Sequence, residues 1–488
     1  MSHVDDFFKS LSPAVQLFMK HVDAKSTIRI VTHNDADGLS SGGILSVAAY
    51  RMGVRFKTSS EKKLDEKLIQ GIALENPGLT IFSDFGSGYL SLISDHIKSD
   101  VIVLDHHLCS DQGASNIIHV NPMMHTIDGA RDIAASGICY HFAKMLDPVN
   151  SDLSCLAIVG ALGDQQDKGD GKSLIGLNRI IEQDAEEAGY LKKHLGLIFY
   201  GYETRPLAKA IAYTTQPYIP DLSGNEGSCV AFLNQIGINQ KNGDELRSLS
   251  DLDDEEKRTL FSALSSHMIS HGCSADVVHQ LIGTIYTFKL EELSTALRGG
   301  REYASLLNAC GRMGKPGVGL SICLGDRGEA MVEAQETLDE YRKSIGSALN
   351  WVQIGNKIHE LENIYVIQAE NMIDDTVIGV VSGILLSQGT LRPSKPIIST
   401  AFSEDEQIKV SARSTDNLLE KGLHIGKVMQ EAAEMLGGGG GGHDVAAGAY
   451  IPKEKEDAFI EMVDSLVHSH LESSSKILVA KIDTPGAN

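Results

Sequence analysis

Three short runs of β-branched and aliphatic residues, each ending on a group that binds cations, constrain this fold more than any other feature of the chain. Thr27 to Thr32 leads into His33, Leu79 to Ser83 into Asp84, and Val101 to Leu104 into Asp105-His106-His107. Runs of this composition favour pleated, buried strands. Segments of helical spacing separate them: Leu39 to Tyr50, built from small residues, then Glu61 to Leu74 and Leu90 to Ile97. Strand and helix alternating in this way predict an α/β fold around a parallel sheet. Ligands of such sheets gather beyond the carboxyl ends of the strands, so the alternation itself predicts that the three endings converge.

The first ending reads His33-Asn-Asp-Ala-Asp-Gly38. In an extended chain residues i, i+2 and i+4 share one side, which would point His33, Asp35 and Asp37 at one place. Imidazole with carboxylates is a donor mix that Mn2+, Zn2+ or Fe2+ accepts. The rival reading is a polar loop with its carboxylates in water. Ile117 to Val120 offers a further strand, closed by Asn121-Pro122, and helices follow near Ile133 to Leu146 and Leu153 to Leu162. The second of these ends in Gly163-Asp164, a carboxylate from a different element that would complete a two-metal cage. Each residue also has an ordinary role open to it. Asp84 suits a turn or helix N-cap, Asp164 a helix-terminal turn, and the paired histidines a packed core.

Composition narrows the classes of function. At 488 residues two or three domains are expected. The net charge of −22 weighs against a protein that coats nucleic acid, since such proteins neutralise many phosphates with Lys and Arg. An enzyme that holds one strand in a groove, with bound cations offsetting its carboxylates, stays compatible with it. No apolar run approaches the roughly 20 residues that span a bilayer. Met-Ser-His-Val-Asp-Asp lacks the basic start and apolar core of a signal peptide, so a cytoplasmic location with no membrane contact is expected. Seven scattered cysteines without a Cys-x-x-Cys pair indicate neither a zinc ribbon nor a disulfide framework. Gly171-Lys172-Ser173 ends like a Walker A loop, but Gln166 stands where its first glycine belongs, and Gly314-Lys315 is followed by Pro316. A nucleotide-driven motor is therefore not expected.

Residues 200 to 350 read as mainly helical, through Leu281 to Leu297, Tyr303 to Cys310 and Ala330 to Trp351. Strands return with Asn363 to Gln368, Pro396 to Phe402 and Gln407 to Ala412, the last delivering Arg413. Helices are expected over Val377 to Leu386, Leu418 to Leu436 and Ala458 to Leu471, with a last strand at Lys476 to Ile482. Six glycines, Gly437 to Gly442, precede His443. They read as a loop whose bare backbone lets N–H groups approach a phosphate, with the Arg413 fork for another.

These strings together resemble the motifs of the DHH phosphoesterases, named for the triplet present here as Asp105-His106-His107. His33-Asn-Asp-Ala-Asp-Gly38, Asp84 after a strand, the triplet and Gly160-Ala-Leu-Gly-Asp164 stand in the family's order. Gly441-Gly442-His443-Asp-Val-Ala-Ala-Gly448 and Ser411-Ala-Arg-Ser414 are similar to elements of its companion substrate domain, although the glycine run is longer than the family's usual pair. Length and the wording around the motifs are similar to the archaeal RecJ-like branch, which includes the GINS-associated nuclease. The resemblance implies a parallel-sheet catalytic domain over 1–200, a mainly helical insertion and connector over 201–355, and a smaller α/β DHH-associated substrate domain over 356–488. It implies two divalent metal ions, Mn2+ before Mg2+. His33 and Asp35 would hold one, Asp37, His106 and Asp164 the other, and Asp84 would bridge them. Asp105 would orient a histidine and His107 would face the scissile phosphate, while Ser411, Arg413, Gly441, Gly442 and His443 would hold substrate. The implied activity is exonucleolytic hydrolysis of single-stranded DNA or RNA, in replication or repair, with GINS and the replicative helicase as partners. The alternatives are a phosphodiesterase of short oligonucleotides or cyclic dinucleotides, which the long insertion disfavours, and a replisome scaffold, which degenerate metal ligands would mark.

Overall fold

The computed structural model describes residues 3–109, 115–214, 217–387, 391–403 and 406–482, with side chains described as far as 472. The chain divides into two compact units. Met1–Tyr213, Glu226–Ala263 and His279–Tyr341 form the first; Thr214–Asn225, Leu264–Val278 and Arg342–Asn488 form the second. The 201–355 stretch is distributed between them. Among the described residues no helix is long and apolar enough to cross a membrane.

In the first unit α1 (His3–Asp23) precedes β1 (Ile28–His33), α2 (Ala36–Arg51), β2 (Phe56–Glu61), α3 (Glu66–Glu75), β3 (Leu79–Ser83), α4 (Leu90–His96), β4 (Asp100–Leu104) and β5 (Ile117–Val120). The strands form one parallel sheet in the order β2-β1-β3-β4-β5. β3 is buried throughout and β1 up to its last residue, as expected of strands covered on both faces. On one face Val31, Phe82, Val101 and Val103 pack against Ile69 and Ile72 of α3 and Ile93 of α4. On the other, the small residues of α2 allow close approach: a Cβ on Gly42 would stand 2.8 Å from Cγ2 of Thr32. α5 (Ala135–Leu146) and α6 (Ser154–Gly163) pack on α2. The chain leaves β1 toward one edge of the sheet and β3 toward the other, so a crevice opens beyond these two strand ends. His33 and Asp84 flank it.

Next come α7 (Gly176–Glu187), β6 (Leu191–Leu197), α8 (Leu207–Tyr213), α9 (Glu226–Gln235), the short ribbon β7 (Lys241–Asn242) and β8 (Glu245–Leu246), α10 (Asp254–Ser270), α11 (Ala275–His279) and β9 (Ile282–Phe288). β9 corrects the helix expected over Leu281 to Leu297. Its β-branched and aromatic residues pair antiparallel with β6, a distant partner that local spacing does not reveal. α12 (Gly300–Arg312), α13 (Pro316–Cys323) and α14 (Glu329–Ile354) follow.

The second unit holds β10 (His359–Glu360), β11 (Tyr365–Gln368), α15 (Ile378–Ser387), β12 (Ile397–Phe402), β13 (Gln407–Arg413), α16 (Asp416–Glu420), α17 (Ile425–Met435), β14 (Gly439–Gly442), β15 (Ala446–Pro452) and α18 (Glu456–Ile482). Its strands form a mixed sheet in the order β10-β11-β12-β13-β15-β14, over a core that includes Ile398, Val410, Met429, Ile451 and Phe459. Three expectations are corrected here. The helix over Leu418 to Leu436 is two helices, because Gly422 sits between them at φ +92°. The last strand is instead the end of α18. The glycine run is not a loop but an edge strand tucked beneath α17: a Cβ on Gly440 would stand 2.7 Å from the Met429 carbonyl oxygen, and one on Gly426 2.6 Å from that of Gly442.

Candidate metal centre

β1 ends on His33 and α2 begins at Ala36, so the extended chain that would align His33, Asp35 and Asp37 stops short. The expectation that all three share one direction is corrected by this turn. Asp35 is the N-cap of α2: one oxygen accepts from Gly38 N–H at 3.0 Å, and the other lies 3.0 Å from His33 Nδ1. Asp37, in the first helical turn, instead accepts from the N–H groups of Ala135 (2.8 Å) and Ser136 (2.9 Å) at the start of α5, where the helix dipole favours an anion. Gly160 of α6 leaves room for it, since a Cβ there would stand 2.4 Å from Asp37 Oδ1.

Asp84 follows β3 with φ +64°, a backbone conformation that residues other than glycine rarely adopt. Such outliers persist where surrounding structure holds them, and they cluster at functional sites. Its carboxylate is buried. Oδ1 lies 3.2 Å from His106 Nε2, while Oδ2 makes no hydrogen bond among the described residues and has His33 Nδ1 3.5 Å away. His106 donates its Nδ1–H to the Gly129 carbonyl at 2.6 Å. Its Nε2 therefore faces a ring of carboxylates, with Asp164 at 3.6 Å and Asp37 at 3.7 Å besides Asp84. A proton or a cation at that nitrogen removes the repulsion between lone pairs.

Asp105 is differently employed. Its oxygens accept from the N–H groups of Ser87 (2.9 Å), His106 (2.8 Å) and His107 (3.2 Å), and from His107 Nδ1 at 2.8 Å. Burial opposes its charge, yet His107 and His106 hold its carboxyl far below the usual range. The His107 ring is thereby fixed with Nε2 directed away from Asp105.

Burial likewise opposes charge on His33 and His106. For His33 the field of Asp35, joined by Asp84, prevails; for His106, Asp84 and Asp164 prevail, and both imidazoliums are held well above their usual pKa. Burial and the neighbouring Asp84 push Asp37 well above the carboxylate range. Protons thus balance the crowded carboxylates, a balance that divalent ions would equally supply. His33, Asp35 and Asp84 each offer a donor atom within 4.8 Å of the others, as do Asp37, His106 and Asp164. Nitrogen and oxygen donors in this mix, with an orphaned buried oxygen on Asp84, fit divalent metals such as Mn2+.

Several supporting residues escape a reading of the sequence. Gln166, noticed there only for breaking a Walker A pattern, donates to the Gly129 carbonyl (2.9 Å) and to Asp164 (3.2 Å), and accepts from Asn178 (2.7 Å). Outer partners of this kind orient metal ligands. From α12, Asn308 accepts from Ala36 N–H at 3.0 Å, and the Gly311 carbonyl accepts from the Asn34 amide at 3.3 Å. Asn121 donates to the His107 carbonyl at 2.8 Å and to Ser87 Oγ at 2.9 Å. No local pattern marks these residues, because an amide's role depends on partners that the fold brings to it, as far away as 277 positions for Asn34 and Gly311.

In the second unit, alternation along β13 puts Lys409, Ser411 and Arg413 on one face. Ser411 is in register with Gly448, and Gly448 with Gly441. α15 comes close to the same face, since a Cβ on Gly379 would stand 3.0 Å from an Arg413 guanidinium nitrogen and 3.1 Å from Ser411 Oγ. Gly442 and His443 lie at the β14–β15 turn, where His443 N–H donates to the Ala446 carbonyl at 2.8 Å. Lys409 and Gly379 are additions to the residues expected from sequence.

Residues 199–282 match the DHH-CID domain and residues 363–469 the DHHA1 domain. An uncharacterized protein of Methanocaldococcus jannaschii is 36% identical over 450 residues, covering 91% of this chain and 94% of the relative. The chain belongs to the DHH family. In fold it is similar to CDC45 from Entamoeba histolytica, with a TM-score of 0.64 and 12% identity over 96% of this chain and 99% of that one. It is also similar to RecJ from Thermus thermophilus in complex with Mn2+, with a TM-score of 0.58 and 16% identity over 94% of this chain. The chain spans 55% of the length of that RecJ, which was also solved with Mg2+.

Proposed function

We propose that the chain is a metal-dependent exonuclease of single-stranded DNA or RNA. The observation that carries this reading is the joining of two donor groups, His33-Asp35-Asp84 and Asp37-His106-Asp164, through the His106–Asp84 contact of 3.2 Å. Two divalent ions, Mn2+ or Mg2+, would there activate a water and balance charge on the attacking and leaving oxygens of an in-line displacement at phosphorus. The work of the protein is positional. Asp84 serves both donor groups, and the Gly129 carbonyl with Gln166 orients the His106 ring. Asp105 accepts from His107 Nδ1–H and, against burial and the neighbouring His106, helps hold that imidazole's pKa up, so the imidazolium's Nε2–H would donate to an oxygen of the scissile phosphate. Water oxygen bonds to phosphorus as it gives up a proton to solvent, the P–O ester bond breaks, and the leaving oxygen takes a proton from water or from His107. Arg413 and Ser411, with the bare backbone of Gly441 and Gly442 and with His443, would grip neighbouring phosphates.

The cellular setting we infer is DNA replication or repair alongside GINS and the replicative helicase, a reading supported by the likeness in fold to CDC45 across 99% of that chain. The same likeness favours a second reading, a replisome scaffold. The full set of donors at the strand ends favours the enzyme.

The deciding experiment is a time course with Mn2+ or Mg2+ and single-stranded DNA and RNA of one sequence, labelled separately at each end. Mononucleotides released from one end are expected, and they give polarity and sugar preference together. Cleavage of dinucleotides alone would replace the reading with the small-substrate phosphodiesterase. No cleavage by folded protein would leave the scaffold.

A further inference from the structure

The second unit carries a cluster of metal-binding side chains unrelated to the strand ends. His267 and His271 are one turn apart at the end of α10, in the string His267-Met-Ile-Ser-His271, a spacing that puts two imidazoles on one helix face. Their ring centroids are 4.2 Å apart. Asp221, in a loop of the same unit, places Oδ2 3.1 Å from His271 Nε2. We propose that Asp221, His267 and His271 form a site for a divalent transition-metal cation, of which Zn2+ is the best match.

The tautomers argue for it. His267 Nε2 lies 2.8 Å from the Pro220 carbonyl, and His271 Nδ1 lies 2.7 Å from the His267 carbonyl. A carbonyl only accepts, so each of these nitrogens carries the hydrogen. In the neutral rings the basic nitrogens are then His267 Nδ1 and His271 Nε2. One donor atom from each of the three residues lies within 4.8 Å of the others. A backbone carbonyl behind each ring is the support that metal-binding histidines commonly use to fix ring and tautomer. A simple ion pair between Asp221 and a protonated His271 accounts for one contact. It does not account for a second imidazole packed at a tilt against the first, which protonation would repel. Two nitrogens and one oxygen suit Zn2+ better than Mg2+ or Ca2+, with water completing the coordination. The cation would tie the loop that contains Asp221, anchored by the buried Ile219 and Leu222, to the end of α10.

The test uses the full chain, stripped with chelator and dialysed against limiting Zn2+, with bound zinc counted by mass spectrometry. Asp221→Asn and His271→Gln are each expected to bind one equivalent less than the unaltered chain. An Asp84→Asn, Asp164→Asn double variant is expected to keep that equivalent, which separates this site from the strand-end donors. Asp221 and His271 are both exposed, so melting curves of their variants in chelator are expected to coincide with that of the unaltered chain. Should His271→Gln unfold, the Co2+ absorption spectrum of Asp221→Asn decides, through loss of its visible bands. Equal zinc in all forms, with melting lowered alike with and without zinc, would mean a surface ion pair and overturn the site.

Discussion

His33, Asp84 and Asp105 stand at the ends of three neighbouring parallel strands, whereas Lys409, Ser411 and Arg413 stand along one strand of a mixed sheet. A parallel sheet brings side chains from distant segments to one point, and crowding there raises a charge problem that cations solve. A strand face spaces its side chains by roughly 7 Å and opposes no like charges. The first arrangement suits chemistry at one atom, and the second suits contact with a repeating backbone. If the difference is functional, damage to the point costs turnover and damage to the line costs affinity.

The largest effect is expected from Asp84→Asn, which keeps a side chain tolerant of positive φ while removing the shared charge. Cleavage should fall on the order of 10³-fold, with circular dichroism and melting nearly unchanged; retained turnover would dissolve the contrast. Arg413→Ala should raise KM about 10- to 100-fold, the worth of a hydrogen bond to a charged group, and leave kcat almost untouched. A fall in kcat alone would place Arg413 with the chemistry instead. Gln166→Ala should raise the Mn2+ concentration needed for half-maximal activity about 10-fold, as measured by metal titration. The smallest and most discriminating pair lies on the glycine edge. Gly440→Ala, which would crowd Met429 and Ala433, should cost ~1–3 kcal/mol of stability. Gly441→Ala meets nothing within 4 Å and should melt normally while raising KM modestly. Identical behaviour of the two would mean that the run serves packing alone.

What is legible in the sequence is whatever is written locally. Runs such as Leu79 to Ser83 name their own strand, and the residue after each run is the one the sheet presents. Strand alternation puts Asp37 on the wrong side, because the helix that starts at Ala36 rotates it toward α5. β9 reads as helix because the strand it pairs with, β6, is remote. The glycine run reads as a loop because glycine carries no periodic signal, although close approach to α17 is what it permits. Gln166 and Asn308 carry no signal for the site, since an amide is ordinary until its partner is known.

Asn308 reaches Ala36 across 272 positions of sequence, and that distance sets an order of events during synthesis. A ribosome delivers the acidic strand ends early and α12 late. Until α12 has emerged, the loop from Asn34 to Ala36 lacks its clamp, so the nascent chain carries the donors of the candidate metal centre without the piece that fixes their geometry. The site's final geometry would then be set at one late moment, after the whole DHH-CID segment has been made.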